Sequence, residues 1–333
     1  MIRKLSAAFL AASFVTAGIS STALAGDEGK AKTQIRIATL APKQSPWGKV
    51  FSTWSKAVDK KTNGEVDVQW LWNGTAGPES NTVGKIKSGQ ISGAAITAVG
   101  LSSIYKPIVA LQMPGAFKTW AELDKARDAL KPQFDKEITA EGFYVSGWGD
   151  VGIARTMSRG FDVIHPEDLR GKSPGLIAQD IINPKVFEAI GGITAKPGDV
   201  VEFLPLLNSG AINVLTVPAL AAEQLQWASR LDHLNDGVVG FGVGAIVMSE
   251  KEMQKLPAEQ REIMEKTGKA AAEALMKIIR KEDDVALERL MKKMTVHHQT
   301  DAERAEWDKI FKKACLRVKT ALPGDVLSKI GYC

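Results

Sequence analysis

The sequence is poor in residues that bind metal ions. It contains two cysteines, Cys315 and Cys333, which do not form a CxxC pair. The histidines are His165, His233, His297 and His298, and no HExxH motif is present. His297 and His298 are adjacent and therefore cannot face one ligand from the same side of a helix. Because zinc sites need three or four clustered ligands, we expect no metal site.

Common nucleotide-binding and hydrolase motifs are also missing. Neither a Walker A sequence nor a G-x-S-x-G sequence occurs. Gly240, Gly242 and Gly244 form G-x-G-x-G, but the apolar residues that follow predict a strand. Dinucleotide binding requires a helix start at that point, because the helix amino terminus holds the pyrophosphate. The sequence therefore predicts no cofactor.

One pair of motifs is similar to those of penicillin-recognising serine acyltransferases. An S-x-x-K sequence begins at Ser103, and a K-T-G sequence begins at Lys266. That chemistry needs the serine at the start of a buried helix and the K-T-G element on a strand. Here Ser103 lies in a predicted loop and Lys266 in a predicted helix. A serine hydrolase remains an alternative, and the favoured prediction is a protein that is not an enzyme.

Charge and hydropathy argue against two classes of partner. The formal net charge of +5 is too small to indicate nucleic acid, and basic and acidic residues are interleaved along the predicted helices. After residue 25, no stretch approaches the roughly 20 apolar residues that a membrane-spanning helix needs. We therefore expect no nucleic-acid partner and no stable membrane insertion.

The amino terminus has the pattern of a cleavable secretory signal. Arg3 and Lys4 precede an apolar segment over residues 5–19, and Ala23-Leu24-Ala25 fits a small-residue cleavage site. The pattern predicts cleavage after Ala25 and export from the cytoplasm, with an uncleaved membrane anchor as the alternative. The remaining chain of roughly 300 residues exceeds the usual size of one hydrophobic core and suggests two lobes.

The two cysteines lie close together near the carboxyl terminus. In an oxidising compartment Cys315 and Cys333 can form a disulfide that stabilises the tail. Two free thiols are the alternative.

Hydrophobic periodicity predicts an α/β fold. Ile35, Ile37 and Thr39 alternate as in a half-buried strand, and Ser45-Pro46 begin a helix with apolar residues on one face. Further strands are predicted at residues 66–72, 93–97, 143–148, 152–158 and 212–217. Residues 258–294 contain no proline and predict one long helix or two in tandem, followed by helices at 302–318 and 323–330. The alternation predicts largely parallel sheets.

Ligands of open α/β sheets bind beyond the carboxyl ends of strands and beside helix amino termini. This rule selects the candidate ligand-binding residues Gln44, Trp47, Thr97, Val99, Met113, Trp148, Asp150, Leu215, Thr216 and Val217. Trp47 and Trp148 are the best candidates for aromatic walls of a binding site. Packing in the hydrophobic core is the alternative for each.

Several short segments occur in the order and spacing of a known family. They are Thr62-Asn-Gly-Glu-Val66, Gly77-Pro-Glu79, Ile86-Lys-Ser-Gly-Gln90, Pro114-Gly-Ala-Phe117, Pro166-Glu-Asp-Leu-Arg-Gly-Lys172, Leu207-Asn-Ser-Gly-Ala-Ile-Asn213, Leu256-Pro-Ala-Glu-Gln260 and Ala302-Glu-Arg-Ala-Glu-Trp307. Through them the chain resembles the DctP-type solute receptors of TRAP (tripartite ATP-independent periplasmic) transporters. The resemblance implies a two-lobed periplasmic binding protein with crossing strands, a long carboxy-terminal bracing helix and a cleft that closes on a small-molecule ligand. It also implies delivery of that ligand to integral membrane TRAP permease subunits.

The same resemblance implies the boundaries of the lobes. Lobe I covers residues 33–150 with about 240–280 returning, and lobe II covers 151–239 with about 281–333 returning. A periplasmic sensor or a shuttle for lipid-like ligands, built on the same fold, is an alternative to a transport receptor.

Family members that bind organic acids carry an arginine just after the segment that here ends at Lys172, where it pairs with the substrate carboxylate. Gly175 occupies that region, so this anchor is missing. A second family arginine corresponds to Arg155, for which an ion pair between the lobes is the alternative role. Apolar residues are expected near the cleft instead, at Leu176, Leu215 and Val217. They predict a hydrophobic or amphipathic ligand, such as a lipid-like monocarboxylate that contacts Arg155.

Overall fold

The computed structural model of the chain describes residues 32–322 and 325–333, so the predicted signal peptide lies outside the described residues. The strands are β1 (Thr33–Thr39), β2 (Val66–Leu71), β3 (Gly93–Thr97), β4 (Phe143–Ser158), β5 (Gly175–Ile177), β6 (Lys196–Gly198), β7 (Val214–Pro218), β8 (His233–Ser249) and β9 (Thr295–His297). The helices are α1 (Pro46–Lys61), α2 (Glu79–Lys87), α3 (Ala98–Leu101), α4 (Trp120–Ala140), α5 (Asn183–Ile190), α6 (Phe203–Ser209), α7 (Ala219–Gln224), α8 (Glu250–Lys255), α9 (Ala258–Met291), α10 (Asp301–Lys319) and α11 (Val326–Lys329). Short 3-10 helices lie at Lys106–Gln112, Pro166–Leu169, Val200–Glu202 and Trp227–Arg230.

The main sheet is mixed. Its strand order is β2-β1-β3-β8-β4-β7, and β9 pairs with β8 outside this path. β1 is parallel to both β2 and β3, whereas β8 is antiparallel to β3 and β4, and β4 is antiparallel to β7. The prediction of largely parallel sheets is therefore wrong for the centre of the molecule, where two long antiparallel strands pair.

Those central strands, β4 and β8, run the length of the sheet. The sequence predicted two separate strands over residues 143–158, but the chain continues as one strand with a change of register between Asp150 and Gly152. Gly152 has φ 138°, and a Cβ atom there would lie 2.6 Å from Asp283 Oδ1. Glycine therefore allows the strand to bend and continue at this point.

Two hydrophobic clusters form the core. Val243, Ala245 and Val247 of β8 belong to one cluster, while Ile246 and Met248 belong to the other. Because side chains of a strand alternate between its two faces, the clusters cover opposite faces of the sheet.

Helices α1 and α9 pack together against the sheet. α1 begins where predicted: the Ser45 hydroxyl accepts a hydrogen bond from Gly48 N at 3.2 Å, and Pro46 is the first helical residue. The region after Pro257 forms one continuous helix of 34 residues and not two helices in tandem.

The carboxy-terminal tail is closed by the predicted disulfide. Cys315 and Cys333 are bonded, with their Cα atoms 6.0 Å apart. The Tyr332 hydroxyl donates to the Pro114 carbonyl at 2.9 Å, so the tail packs beside the 3-10 helix that ends at Gln112. Among the described residues, no helix combines the length and the hydropathy needed to cross a membrane.

Candidate functional site

A cavity of about 130 Å³ lies where β1 and β3 end and where β4 and β8 pass through the middle of the sheet. Its apolar lining includes Leu40, Ala41, Pro42, Trp47, Phe51, Ala95, Ile96, Trp148, Val151, Val200, Leu225, Ala245, Ile246, Ala272 and Leu275. Its polar lining consists of Thr39, Glu79, Thr97 and Asp150. The cavity is thus shaped for an apolar molecule with a small number of polar contacts.

Two tryptophans contribute to its walls. Trp47 lies in the first turn of α1, and its indole N–H donates to the backbone carbonyl of Asp150 at 3.3 Å. Trp148 lies on β4, and its indole N–H donates to Asp135 Oδ1 at 3.0 Å. Both rings are buried, and both polar ends are held by the protein.

Phe51 extends the aromatic surface one helical turn beyond Trp47. Its ring stacks on Trp70 with centroids 4.4 Å apart and an interplanar angle of 7°. The ring centroids of Trp70 and Trp72 are 5.4 Å apart. Trp70 on β2 and Trp72 just after it therefore support the phenylalanine ring together. Stacking of this kind fixes the ring that faces the cavity.

Asp150 is a buried carboxylate whose charge is balanced from outside the cavity. Its side chain is fully buried and pairs with Arg127 of α4, and Arg280 Nε of α9 lies 2.7 Å from Asp150 Oδ2. Arg280 also binds both carboxylate oxygens of Asp124, at 2.6 and 2.8 Å. That hydrogen bonding lowers the pKa of Asp124. The network joins β4 to α4 and α9.

Glu79 is the other carboxylate of the lining. It accepts hydrogen bonds from Thr97 N at 2.8 Å and from the Thr97 hydroxyl at 2.6 Å. Burial raises its pKa above the ordinary 4.5, while the bonds from Thr97 and from Gly100 N act in the opposite direction. Glu79 therefore anchors the junction of β3 and α3 while facing the cavity.

A smaller cavity of about 20 Å³ adjoins the first. Leu40, Glu79 and Val200 line both. Val99, Ile177, Gln179 and Asp199 are among the residues that line only the smaller one. The two cavities together form the candidate site.

Comparison with known proteins matches the chain to one family. The model of bacterial extracellular solute-binding protein family 7, DctP, matches residues 37–320. The chain belongs to this family. Solute-binding proteins from Sulfitobacter sp. strain NAS-14.1 and Verminephrobacter eiseniae are 24% and 23% identical to it over 270 and 302 residues. These alignments cover 79% and 86% of the chain, and 79% and 88% of the relatives.

Solved structures of TRAP periplasmic solute-binding proteins share the fold of this DctP-family chain. The protein from Sulfurospirillum deleyianum, with bound succinate, has a TM-score of 0.84 and 18% identity, covering 90% of this chain and 98% of its own. The protein from Chromohalobacter salexigens, with bound D-glucuronate, has a TM-score of 0.81 and 15% identity, covering 89% and 98%. The predicted two-lobed α/β fold with a long carboxy-terminal helix is confirmed, and the chain is a binding protein and not an enzyme.

The structure brings together five of the residues predicted from the sequence. Trp47, Thr97, Trp148 and Asp150 line the larger of the two cavities, and Val99 lines the smaller one. Their convergence follows from the parallel β1 and β3, which end at the same edge. The aromatic walls expected at Trp47 and Trp148 are therefore at the cavity.

The other predicted residues lie elsewhere. Gln44 is exposed in the turn before α1, and Met113 is a fully buried core residue. Leu215 is also in the core, and the Thr216 hydroxyl lies 3.2 Å from that of Thr156 on β4. Leu176 on β5 and Val217 on β7 are partly buried and are not among the residues that line either cavity.

Arg155 and Gly175 are the two positions that the family resemblance linked to carboxylate binding. Arg155 is buried, and its guanidinium donates to the carbonyls of Asp236 and Ile153 at 3.2 and 3.3 Å without lining the cavity. At Gly175, a Cβ atom would lie 2.7 Å from Leu215 Cδ2 and 3.0 Å from Ile212 Cδ1. Apolar packing therefore leaves little room for an arginine at that position.

The hydrolase motifs are not assembled. Ser103 is exposed in the turn after α3, and Lys266 is exposed on α9, where it pairs with Glu262 at 2.5 Å. Within residues 32–322 and 325–333, no group of histidine, cysteine or acidic side chains is arranged to hold a metal ion.

Sequence reasoning missed several lining residues. Phe51 has the same helical spacing as core residues, and Leu225 follows a short helix that had no recognisable site signal. Glu79 lies in the Gly77-Pro-Glu79 segment that carries the family resemblance, but the segment alone does not indicate a role for the glutamate.

Proposed function

We propose that this protein is the periplasmic receptor of a TRAP-type transporter and that it binds a small, largely apolar solute in the larger of the two cavities of the candidate site. The observation that carries the proposal is the composition of the lining. It combines aromatic and aliphatic side chains with no lysine, arginine or histidine among the described lining residues. Each 100 Å² of apolar ligand surface buried there contributes roughly 2.5 kcal/mol.

The lining also argues against a small dicarboxylate. The proteins from Sulfurospirillum deleyianum and Chromohalobacter salexigens contain bound succinate and D-glucuronate, which are both carboxylates. A buried carboxylate needs a cation or several hydrogen-bond donors to offset its desolvation. The lining residues here supply carboxylates and no cation. We therefore propose that this receptor binds a solute that is not a small dicarboxylate.

Closure of two lobes around the solute is part of the proposal. Lobe I covers residues 33–150 with about 240–280 returning, and lobe II covers 151–239 with about 281–333 returning. Support comes from Val200 and Leu225, which belong to lobe II and line the cavity together with residues of lobe I. Opening of a hinge in β4 and β8 would separate these walls and release the solute. The Tyr332 hydroxyl donates to the Pro114 carbonyl, so the tail of the proposed lobe II also contacts lobe I.

The predicted export signal fits this role. We propose cleavage after Ala25, release into the periplasm and transfer of the solute to integral membrane permease subunits. The family is one of extracellular solute-binding proteins, which agrees with that compartment.

Intrinsic fluorescence provides a direct test, because Trp47 and Trp148 line the cavity. Titration with toluene or benzyl alcohol is expected to change the emission in a saturable manner, whereas succinate and D-glucuronate are expected to leave it unchanged. Trp47→Phe should reduce the spectral change, and Trp227→Phe, in the core away from the lining, is the matched control. Saturable binding of succinate with no response to the apolar compounds would contradict the proposal.

A further inference from the structure

The charged side chains that line the two cavities are all acidic. Glu79 lines both cavities and Asp199 lines the smaller one, and neither forms an ion pair with a basic side chain among the described residues. Asp150 is already neutralised by Arg127 and Arg280, which reach it from α4 and α9. The unpaired carboxylates therefore set the electrostatic potential that a bound solute meets.

The hydrogen-bond donors of the lining are largely committed to the protein. The indole N–H of Trp47 donates to the Asp150 carbonyl, and that of Trp148 donates to Asp135. The hydroxyl and the backbone N–H of Thr97 both donate to Glu79. An anionic solute would find few free donors, whereas a solute that donates hydrogen bonds would find acceptors.

Glu79 has capacity for another partner. A carboxylate offers about four acceptor positions, and the backbone N–H and the hydroxyl of Thr97 occupy two of them. The rings of Trp47 and Phe51 line the same cavity and add a second attraction for a cation, because the face of an aromatic ring carries negative electrostatic potential. A cavity that holds both a carboxylate and aromatic rings is suited to a protonated amine.

We infer that the solute carries a protonated amine that binds Glu79, with its apolar body against Trp47 and Phe51. This inference rests on the proposed function and specifies the chemical class of the solute. The ammonium group supplies the positive charge that the cavity lacks, and the apolar body fills the remaining space. A carboxylate at the same place would face Glu79 without a counter-ion.

Three probes of similar shape test the inference: benzylamine, benzyl alcohol and benzoate. At pH 7.5, calorimetric titration of the full mature protein is expected to show benzylamine binding at least tenfold more tightly than benzyl alcohol, with no detectable binding of benzoate. Glu79→Gln should weaken benzylamine at least tenfold and change benzyl alcohol less than threefold. Glu262→Gln, on the exposed face of α9, is the matched control and should change neither.

The outcomes separate the two proposals. If benzoate or benzyl alcohol binds as tightly as benzylamine to the wild-type protein, the inference is overturned while the apolar site remains. If none of the probes binds, both the inference and the apolar site are overturned. Because these comparisons use the wild-type protein, they hold even if Glu79→Gln does not fold.

Discussion

At the residue scale, Glu79 both stabilises the end of β3 and lines the candidate site. Its carboxylate binds the backbone and hydroxyl groups of Thr97 and so fixes the end of β3. It also lines both cavities without a basic partner among the described residues. Burial raises its pKa above 4.5, which means that the folded protein favours the protonated form more than the unfolded chain does.

This shift predicts the pH dependence of a Glu79→Gln variant. Because the pKa of Glu79 is raised by folding, its ionisation destabilises the native state as the pH rises from about 4.5 through the folded pKa. The free energy of unfolding of the wild type, minus that of Glu79→Gln, should therefore decrease over this range and then become constant. Urea unfolding between pH 4 and pH 8 measures the difference. An increase with pH would contradict the assigned direction.

The sequence indicated some of these residues and could not indicate others. Trp47 and Trp148 could be predicted because strand ends and helix starts gather at one edge of an α/β sheet. Phe51 has the spacing of a core residue, and only its position beside the cavity distinguishes it. At Gly175 the absence of an arginine was visible, but its replacement by contacts with Leu215 and Ile212 depends on packing between distant segments.

At the scale of elements, α9 is joined to the bend of β4 by one buried acid. Asp283 Oδ2 accepts from Ile153 N at 2.8 Å, and its Oδ1 accepts from Leu220 N at 2.9 Å. Ile153 follows the bend at Gly152, and Leu220 lies in the first turn of α7. The side chain therefore holds a strand and two helices together where β4 changes register.

Asp283→Asn is expected to lower the free energy of unfolding by about 1–3 kcal/mol. An asparagine keeps one acceptor oxygen, but its amide N–H₂ must face the second backbone donor, which then loses its partner. Asp284→Asn is the matched control, since Asp284 is exposed on the same helix and its replacement should cost less than about 0.5 kcal/mol. Urea unfolding of the two variants makes the comparison. Equal effects would show that the two backbone bonds to Asp283 contribute little.

Helix signals were more reliable in the sequence than sheet topology. The cap at Ser45 and the proline-free run after residue 257 are local features, and both helices appear as expected. The continuity of β4 through Gly152 depends on its pairing with β8, which lies about ninety residues away in the chain. Non-local pairing of this kind leaves no local signature, so the sequence predicted two strands.

At the scale of the whole molecule, the disulfide and the cavity are separate features. Cys315 lies in α10 and Cys333 is the last residue, and neither lines the cavities. The bond spans 18 positions of the chain and restricts the unfolded tail. It therefore contributes to stability without entering the candidate site.

Cys333→Ser should lower the free energy of unfolding by up to about 3 kcal/mol, the value expected for a loop of this length. Binding of benzyl alcohol at 25 °C should change less than twofold. Thermal unfolding and calorimetry measure the two effects, and a reducing agent should produce no further loss in the variant. A large loss of affinity would mean that the tail supports the cavity directly.

The overall architecture could be predicted because the family segments retain their order along almost the whole chain, and the family match confirms it. The sequence predicted a hydrophobic or amphipathic solute, whereas the amine is inferred only from the structure. The committed donors of Trp47, Trp148 and Thr97 become apparent only when the strands are folded together.

The identity of the solute retained by the protein after native expression and gentle purification tests the central claim most directly. Denaturation followed by mass spectrometry of the released small molecules provides this measurement. We predict a largely apolar compound that carries an amine and no carboxylic acid group. Recovery of succinate, a uronate or another small carboxylate in stoichiometric amount would contradict it.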